Sequence, residues 1–319
     1  MTTARKQLIS VEATPYYHCV SRCVRQSYLC GRDKKKNISY EHRKSWIEKR
    51  LKLLSQVYCI NLCSYAIMSN HYHVVVHINL EQLESLSNIE VIERWARLHK
   101  LPSLIARWCQ QLITTQHEEN QCLEIISLWR ERLCSLSWYM KEINFYIACR
   151  ANQEDGCKGH FWESRFKSQA LLDEKALAAA MAYVDLNPVR AGIAKTPESS
   201  DFTSIQIRLK ALQNKLPNPS FLHPFQPTNK QNTQYSIPFD IFDYINLVDW
   251  SARQFRGNKG SIPDNVPPIL DRLSFNQKNW LTVCSELEKT NITAIGAPVT
   301  IEPAKRALGK AKIHAYKLD

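Results

Sequence analysis

The sequence has no long hydrophobic run, and this absence narrows the classes of protein that it can encode. No stretch of its 319 residues approaches the roughly 20 apolar residues that a membrane-spanning helix needs. The N-terminal residues also lack the apolar core of a secretory signal peptide. We therefore expect a cytoplasmic protein without a membrane partner, in which the 11 cysteines are mainly reduced thiols rather than a disulfide framework.

The sequence has fewer acidic residues than basic ones. The sequence has 42 Lys and Arg residues against 30 Asp and Glu residues, and its formal net charge is +12 at pH 7. This balance suits a polyanionic partner such as nucleic acid better than an acidic metabolite. A basic, well-solvated surface explains the charge equally well, so composition alone leaves both interpretations open.

The sequence also lacks internal repeats and long low-complexity tracts. Apolar periodicity predicts a strand within residues 16–29, a helix within 40–58 and two strands within 59–79. This order predicts an α+β fold with a mostly antiparallel sheet, and the hydrophobic fraction of 44% is enough for a full core.

The middle of the chain reads as helical from residue 81 to 154, and we interpret residues 81–135 as an insertion packed on the core. A strand is predicted over residues 160–172. Asp173 then caps a predicted helix over 174–186, which Pro188 stops or kinks.

Composition shifts in the C-terminal part of the chain. We predict a main domain over residues 1–208, a linker rich in Pro, Asn and Gln over 209–238, and a mainly helical accessory region over 239–319. The basic tail from Lys305 is expected to be loose.

Two histidines form the first candidate site. His71 and His73 lie two residues apart in a β-rich run, so both side chains emerge on one face of a strand, which also carries His77. Two imidazoles so placed can bind one cation. Incidental histidines are the commoner explanation when this pattern stands alone.

A second constellation lies at the end of the helix that Asp173 caps. Tyr183 and Asn187 are four residues apart and point the same way, and an Asn carbonyl oxygen can complete the coordination of a hard cation. The alanine run Ala178 to Ala180 would let this helix lie close to a sheet. An ordinary core tyrosine is the alternative for Tyr183.

Three stretches together resemble a known family. SYAIMSNHYHVVVH (64–77), GHFWESRFKS (159–168) and AYVDLNPVRAGI (182–193) look like the core motifs of the REP-associated tyrosine transposases, members of the single-tyrosine HUH (insertion-sequence-200-like) superfamily. YYHCVSRC (16–23) and LSWYMKEINFYIACR (136–150) resemble its first strand and central helix. The resemblance implies a ferredoxin-like HUH domain with a central antiparallel sheet flanked by helices.

The resemblance also assigns roles. It implies that His71 and His73 are metal ligands for Mg²⁺ or Mn²⁺, that Tyr183 is the nucleophile, and that Asn187 is a third ligand. Ser69 stands where the family usually has proline, and Tyr72 is bulkier than the usual aliphatic residue between the histidines. Neither departure removes a catalytic group.

The implied activity is that of a transposase and endonuclease acting on single-stranded or hairpin DNA. Its product would be a 5′-phosphotyrosine with a free 3′-OH, which can later attack the linkage and rejoin or transfer the strand. Relatives can share active sites in a homodimer, which would place Tyr183 beside the histidines of a second chain.

Basic and aromatic residues near these motifs are candidates for DNA contact. We predict phosphate binding by the cationic members and base stacking by the aromatic ones, although Trp162 and Phe166 could equally be core residues. The predicted set is Arg22, Trp162, Arg165, Phe166, Lys167 and Arg190. Arg253, Arg256 and Lys259 of the C-terminal region could form an additional DNA-binding arm, or simply a solvated surface.

Two alternative interpretations of the protein's function remain. Close pairs at Cys19 and Cys23, Cys59 and Cys63, and Cys157 with His160 could form a zinc-stabilised module, although C-x3-C spacing is less typical than C-x2-C. A catalytically idle protein that binds DNA hairpins is the other alternative, and only turnover separates it from the enzyme.

Overall fold

A six-stranded sheet organises the chain in the computed structural model, which describes residues 8–24, 29–33, 37–226, 236–255, 267–288 and 292–318. The strands, in chain order, are β1 Tyr16–Arg22, β2 Arg32–Asp33, β3 Ile38–Ser39, β4 Ile60–Ile67, β5 His71–Ile78, β6 Lys167–Leu171, β7 Ala294–Gly296 and β8 Ala315–Lys317. The sheet order is β4-β5-β1-β6-β7-β8, and β2 pairs with β3 separately.

Helices account for most of the remaining described chain. They are α1 Arg43–Val57, α2 Leu80–Ser85, α3 Asn88–Ala96, α4 Ser103–Cys109, α5 Gln116–Leu133, α6 Leu136–Glu154, α7 Glu174–Asp185, α8 Asn187–Arg190, α9 Ser204–Gln213, α10 Ile241–Phe255, α11 Pro268–Arg272, α12 Gln277–Glu286 and α13 Pro298–Ala307. In the part of the chain that the structure describes, no helix is both long and apolar enough to cross a bilayer.

The predicted α+β class is confirmed, but the sheet is mixed. Strands β4, β5, β1 and β6 pair antiparallel, as expected, whereas β7 and β8 add parallel strands at one edge. The chain reaches β7 from β6 through the long crossover that contains α7 to α12, and such a crossover returns a strand in the same direction. The predicted, mostly antiparallel sheet therefore has two parallel strands at this edge that the sequence did not indicate.

Side chains of β5 alternate between two differently covered faces. Tyr72, Val74 and Val76 face a core shared with α1, α6 and the helices of the insertion, and we call this the insertion face. His71, His73, Val75 and His77 lie on the other side by strand alternation, where Val75 joins a core with α7 and α10 to α12. We call that side the C-terminal face.

Helix α7 lies directly on the C-terminal face. Asp173 caps it by accepting a hydrogen bond from the Ala176 backbone N–H (2.8 Å), as predicted. The run Ala178 to Ala180 is fully buried, and α7 packs against β4, β5 and β6. Small side chains allow this close approach, so the prediction from the alanine run is confirmed.

The strand predicted over residues 160–172 is shorter than expected. Only residues 167–171 form a strand, and Trp162 makes an isolated bridge with Cys23. Consecutive residues Phe161 and Trp162 both pack into the insertion-face core. Strand alternation would send them to opposite faces, so the chain here is irregular.

Residues of the C-terminal part of the chain pack into both cores. Leu222, within the predicted linker, bridges to Leu62 of β4, and Ile237 and Phe239 are buried in the core of the C-terminal face. The tail from Lys305 is not loose, because it completes α13 and forms β8. The division into a main domain, linker and accessory region remains a prediction.

A buried carboxylate joins α7 to the elements that follow it. Asp185 is almost fully buried and accepts hydrogen bonds from Ser204 Oγ (2.5 Å), the Ile205 N–H (3.1 Å) and Tyr244 Oη (2.6 Å). These donors belong to α9 and α10. A buried carboxylate is tolerated only when such donors replace its hydration, so Asp185 fixes both helices relative to α7.

We expect Tyr244→Phe to lower the free energy of unfolding by about 1–3 kcal/mol, because it removes one donor from a buried carboxylate. Chemical denaturation of the full chain measures this change. Asp249→Asn, which breaks the exposed pair with Arg253, serves as the control and should change stability by less than about 0.5 kcal/mol. Equal effects of the two substitutions would contradict the role assigned to Asp185.

Candidate active site

Strand β5 begins with the two histidines of the candidate site. The rings of His71 and His73 lie 4.8 Å apart between centroids, on the C-terminal face. Nδ1 of His71 lies 2.6 Å from Oδ1 of Asn70, which can only accept a hydrogen bond. His71 therefore carries its proton on Nδ1 and keeps a lone pair on Nε2.

A chain of hydrogen bonds fixes the tautomer of His73. Gln169 donates through Nε2 to the Leu287 carbonyl (3.1 Å), so its Oε1 accepts from Nδ1 of His18 (2.7 Å). Nε2 of His18 then accepts from Nδ1 of His73 (3.1 Å). This leaves the lone pair of His73 on Nε2, as in metal sites where the second ring nitrogen is held by a hydrogen bond.

Glu288, which directly follows the last turn of α12, brings a carboxylate to the histidines. Its Oε2 accepts a hydrogen bond from Tyr183 Oη (3.0 Å) and lies 3.8 Å from Nε2 of His73. Its Oε1 forms an ion pair with Arg22 (2.7 Å). Within the described ranges, His71, His73 and Glu288 form a group whose potential ligand atoms all lie within 4.8 Å of one another.

Tyr183 projects from α7 into the same cluster. Its ring centroid lies 5.7 Å from that of His73 in the same chain, and the Arg190 guanidinium lies 4.2 Å above its ring. The side chain is only 2% exposed. Burial, followed by the charge of Glu288, raises the pKa of Tyr183 to about 12. Histidines and tyrosine thus meet within one chain, and a second subunit is not needed to join them.

The histidines and the carboxylate are held in states suited to metal binding. Burial lowers the pKa of His71 to about 4, and burial together with the charge of His71 holds the pKa of His73 well below its ordinary value. Burial opposes ionisation of Glu288, but His71 and Arg22 outweigh it and lower its pKa. Neutral imidazoles and an ionised carboxylate are the forms that ligate cations.

Asn187 lies beside His73 but presents its amide nitrogen. Nδ2 is 2.9 Å from Nε2 of His73, and the tautomer derived above makes Nδ2 the donor. A half-turn of the side-chain amide would bring Oδ1 to the same place. Ligation by Asn187 remains a prediction, whereas Glu288 is the third potential ligand in the group that the structure assembles.

The predicted DNA-binding residues fall in three places. Arg22 and Arg190 join the cluster, where Arg22 pairs with Glu288 and Arg190 donates to the Cys284 carbonyl (2.7 Å). The structure places Trp162 and Phe166 in the insertion-face core, where Trp162 donates to the Asn144 carbonyl (2.8 Å). Arg165 and Lys167 are exposed. Their contacts with DNA remain predictions.

Other candidates from the sequence lie elsewhere. His77 stacks on His223 with ring centroids 5.1 Å apart and does not join the group of His71, His73 and Glu288. Among the residues that the structure describes, that group contains no cysteine, so the cysteine pairs of the zinc alternative are not part of it. Arg253 is exposed on α10, while Arg256 and Lys259 lie outside the described residues.

Three residues of the cluster were missed in the sequence. His18 and Gln169 lie on neighbouring strands, and each has the strand alternation that would have placed it on the C-terminal face. Glu288 is 105 residues from Tyr183 and belongs to no motif with it. Only His18 carried a signal, because it is a histidine within a strand that pairs with the HxH strand.

No family model matches the chain, and no curated protein sequence matches it. The chain is similar to a solved structure of a REP-associated tyrosine transposase bound to a REP hairpin, with 12% identity and a TM-score of 0.37, over 73% of this chain and 96% of that one.

We expect the site to bind Mn²⁺, and we expect Glu288→Gln to weaken this binding about tenfold or more, because it removes the charged ligand. His73→Ala should abolish specific binding. Titration of free Mn²⁺ by electron paramagnetic resonance measures both effects. Glu131→Gln, an exposed carboxylate in the insertion, is the matched control. Undiminished affinity in Glu288→Gln would remove this carboxylate from the ligand set.

Gln169→Leu tests the hydrogen-bond chain behind His73. Without Oε1, neither His18 nor His73 is held in one tautomer, so we expect Mn²⁺ affinity to fall about 10- to 100-fold. The same resonance titration reads this out, and thermal unfolding monitors the loss of buried polar contacts separately. Gln56→Leu, at an exposed position of α1, is the control. A melting change with unaltered affinity would make Gln169 purely structural.

Proposed function

We propose that the chain is a metal-dependent endonuclease and strand transferase that acts on single-stranded or hairpin DNA, with Tyr183 as its nucleophile. One observation carries this proposal. His71 and His73 from β5 and Tyr183 from α7 meet at a single carboxylate, Glu288. A structural tyrosine would not require two neutral imidazoles and an ionised carboxylate beside its hydroxyl group.

His71, His73 and Glu288 would hold the divalent cation, with Asn187 beside them as a further oxygen donor. Mg²⁺ and Mn²⁺ are the candidates, and the two imidazoles favour Mn²⁺ because Mg²⁺ prefers oxygen ligands. When bound, such a cation neutralises the scissile phosphate and stabilises the departing alkoxide.

Tyr183 supplies the covalent step. Its Oη attacks the phosphorus and forms an O–P bond, while the bond from phosphorus to the 3′-oxygen breaks. The phenol proton is released to solvent, and the leaving 3′-oxygen takes up a proton to become a hydroxyl. Because the pKa of Tyr183 is about 12, the phenolate needs nearby positive charge, which Arg190 provides 4.2 Å from the ring.

The product would be a 5′-phosphotyrosine and a free 3′-OH. Attack of this hydroxyl, or of another, on the phosphotyrosine reverses the step and conserves the energy of the bond. Tyr183 is 2% exposed, and its hydroxyl group donates a hydrogen bond to the Glu288 carboxylate. This carboxylate must therefore move away from Tyr183 Oη before cleavage.

A catalytically idle hairpin-binding protein is the second candidate, and the same burial favours it. Tyr183 is covered by Glu288, and burial holds its phenol in the unreactive protonated state. The two candidates share fold and partner, so they differ only in turnover.

We expect the full chain to form a denaturation-resistant adduct with labelled single-stranded hairpin oligonucleotides in the presence of Mn²⁺ and, less efficiently, Mg²⁺. Tyr183→Phe should abolish the adduct because it lacks the attacking oxygen, and His71→Ala should reduce it at least about 100-fold. A denaturing gel measures adduct yield. Tyr40→Phe, which removes a hydroxyl group far from Tyr183 in the sequence, is the matched control.

An adduct of undiminished yield in Tyr183→Phe would remove Tyr183 from the mechanism. Tight hairpin binding without an adduct, across a panel of hairpins and both metals, would instead establish the binding protein.

A further inference from the structure

A groove of about 950 Å³ lies on the insertion face, on the side of the sheet opposite Tyr183. Helix α6 forms its floor, and the turn after α3 and the end of α5 form its walls. Its aromatic lining residues are Trp95, Trp129, Trp138, Phe145 and Tyr146. Its cationic lining residues are Arg50, Lys100, Arg132, Lys141 and Arg150.

Aromatic and basic residues alternate along the part of α6 that lines the groove. Trp138, Lys141, Phe145 and Arg150 recur at intervals of three to five residues and line the groove. Phe145 is 67% exposed, so most of its ring contributes nothing to the core. A large exposed ring between cations is a feature that folding does not require.

The cations lie against the aromatic rings. Arg132 and Lys141 lie 4.2 Å and 4.1 Å from the centroid of the Trp138 ring. The Arg150 guanidinium donates to Tyr146 Oη (2.8 Å). Such contacts hold long cationic side chains along the groove, so less conformational entropy remains to be lost when they bind an anion.

Negative charge in the groove is already neutralised. Glu142 is the one carboxylate among the described side chains that line it, and Arg50 pairs with this carboxylate at 2.6 Å. Lys100, Lys141 and Arg150 are exposed to solvent. The groove therefore presents net positive charge beside accessible aromatic surface.

We propose that this groove binds single-stranded DNA, with phosphates at Lys141, Arg150 and Lys100 and bases stacked on Phe145. Basic grooves with stacking aromatic side chains are the arrangement by which proteins hold single strands without reading their sequence. An acidic peptide would pair with the cations but would not explain the exposed ring of Phe145. In a duplex the base faces are stacked on one another, so none is available to stack on Phe145. The choice of DNA over RNA rests on the proposed function.

The groove is linked to the catalytic strand through the same helix. Asn144 of α6 accepts a hydrogen bond from Tyr72 Oη (2.7 Å), and Tyr72 lies between His71 and His73. Asn144 also donates to Ser21 of β1 (3.0 Å). Single-stranded DNA bound on the outer side of α6 is therefore separated from β5, which carries His71 and His73, by this one helix. This position suits the unpaired flank of a hairpin whose cleavage site lies on the opposite face.

Fluorescence anisotropy of a labelled oligothymidylate of about 20 nucleotides, in EDTA, tests this site in the full chain. We expect Phe145→Ala to weaken binding by about tenfold through loss of stacking. The double substitution Lys141→Ala and Arg150→Ala should reduce the slope of log affinity against log salt by about 1.4, or 0.7 for each lost phosphate contact. All three positions are exposed on a helix, where alanine is well tolerated.

Matched controls lie outside the groove. Phe242→Ala removes a ring that is 62% exposed on α10, and Lys210→Ala removes an exposed cation on α9. Both should bind like the unmodified chain. Binding unchanged in Phe145→Ala, or reduced equally in Phe242→Ala, would overturn the proposal, as would tighter binding of oligouridylate than of oligothymidylate.

The assay needs neither metal nor Tyr183, so its outcome is independent of cleavage. Loss of binding in the groove variants, with no adduct formed by the unmodified chain, would support the groove and contradict the catalytic proposal. Adduct formation by the unmodified chain, with normal DNA binding by the groove variants, would support the catalytic proposal and contradict the groove.

Discussion

The carboxylate of Glu288 is the constraint on which the site depends. A half-buried carboxylate loses part of its hydration, and here Arg22 from β1 and Tyr183 from α7 replace it. These partners come from distant parts of the chain, so Glu288 holds the end of α12 against the C-terminal face of the sheet. The position of the C-terminal region therefore depends on this charge, whereas burial keeps the pKa values of His71 and His73 low.

A second polar connection reinforces the first. The hydrogen bonds from His73 through His18 and Gln169 end on the Leu287 carbonyl, one residue before Glu288. The Leu287 carbonyl thus fixes the position of the lone pair of His73, and the neighbouring Glu288 side chain accepts the hydrogen bond of the Tyr183 hydroxyl group. On the insertion face, α6 supports the same strand through Tyr72. The two sides of the sheet therefore differ: one carries the cluster of histidines, Tyr183 and Glu288, and the other a basic, aromatic groove.

Local patterns predicted the parts of the fold that local forces determine. Asp173 and the alanine run defined α7 because a cap and small side chains act within a few residues. The strand before α7 began later than predicted because Phe161 and Trp162 share one core, which strand periodicity forbids. Strands β7 and β8 were missed because three residues carry no measurable periodicity, and their pairing depends on the crossover that precedes them.

The sequence by itself determined that His71 and His73 share a face of a strand, and that Tyr183 and Asn187 point the same way. Backbone geometry settles such relations over two to four residues. Only the tertiary structure decided that His18, Gln169 and Glu288 complete the cluster. Their proximity is set by sheet order and by the packing of α12 on α7, and no spacing in the chain encodes a contact between groups 105 residues apart.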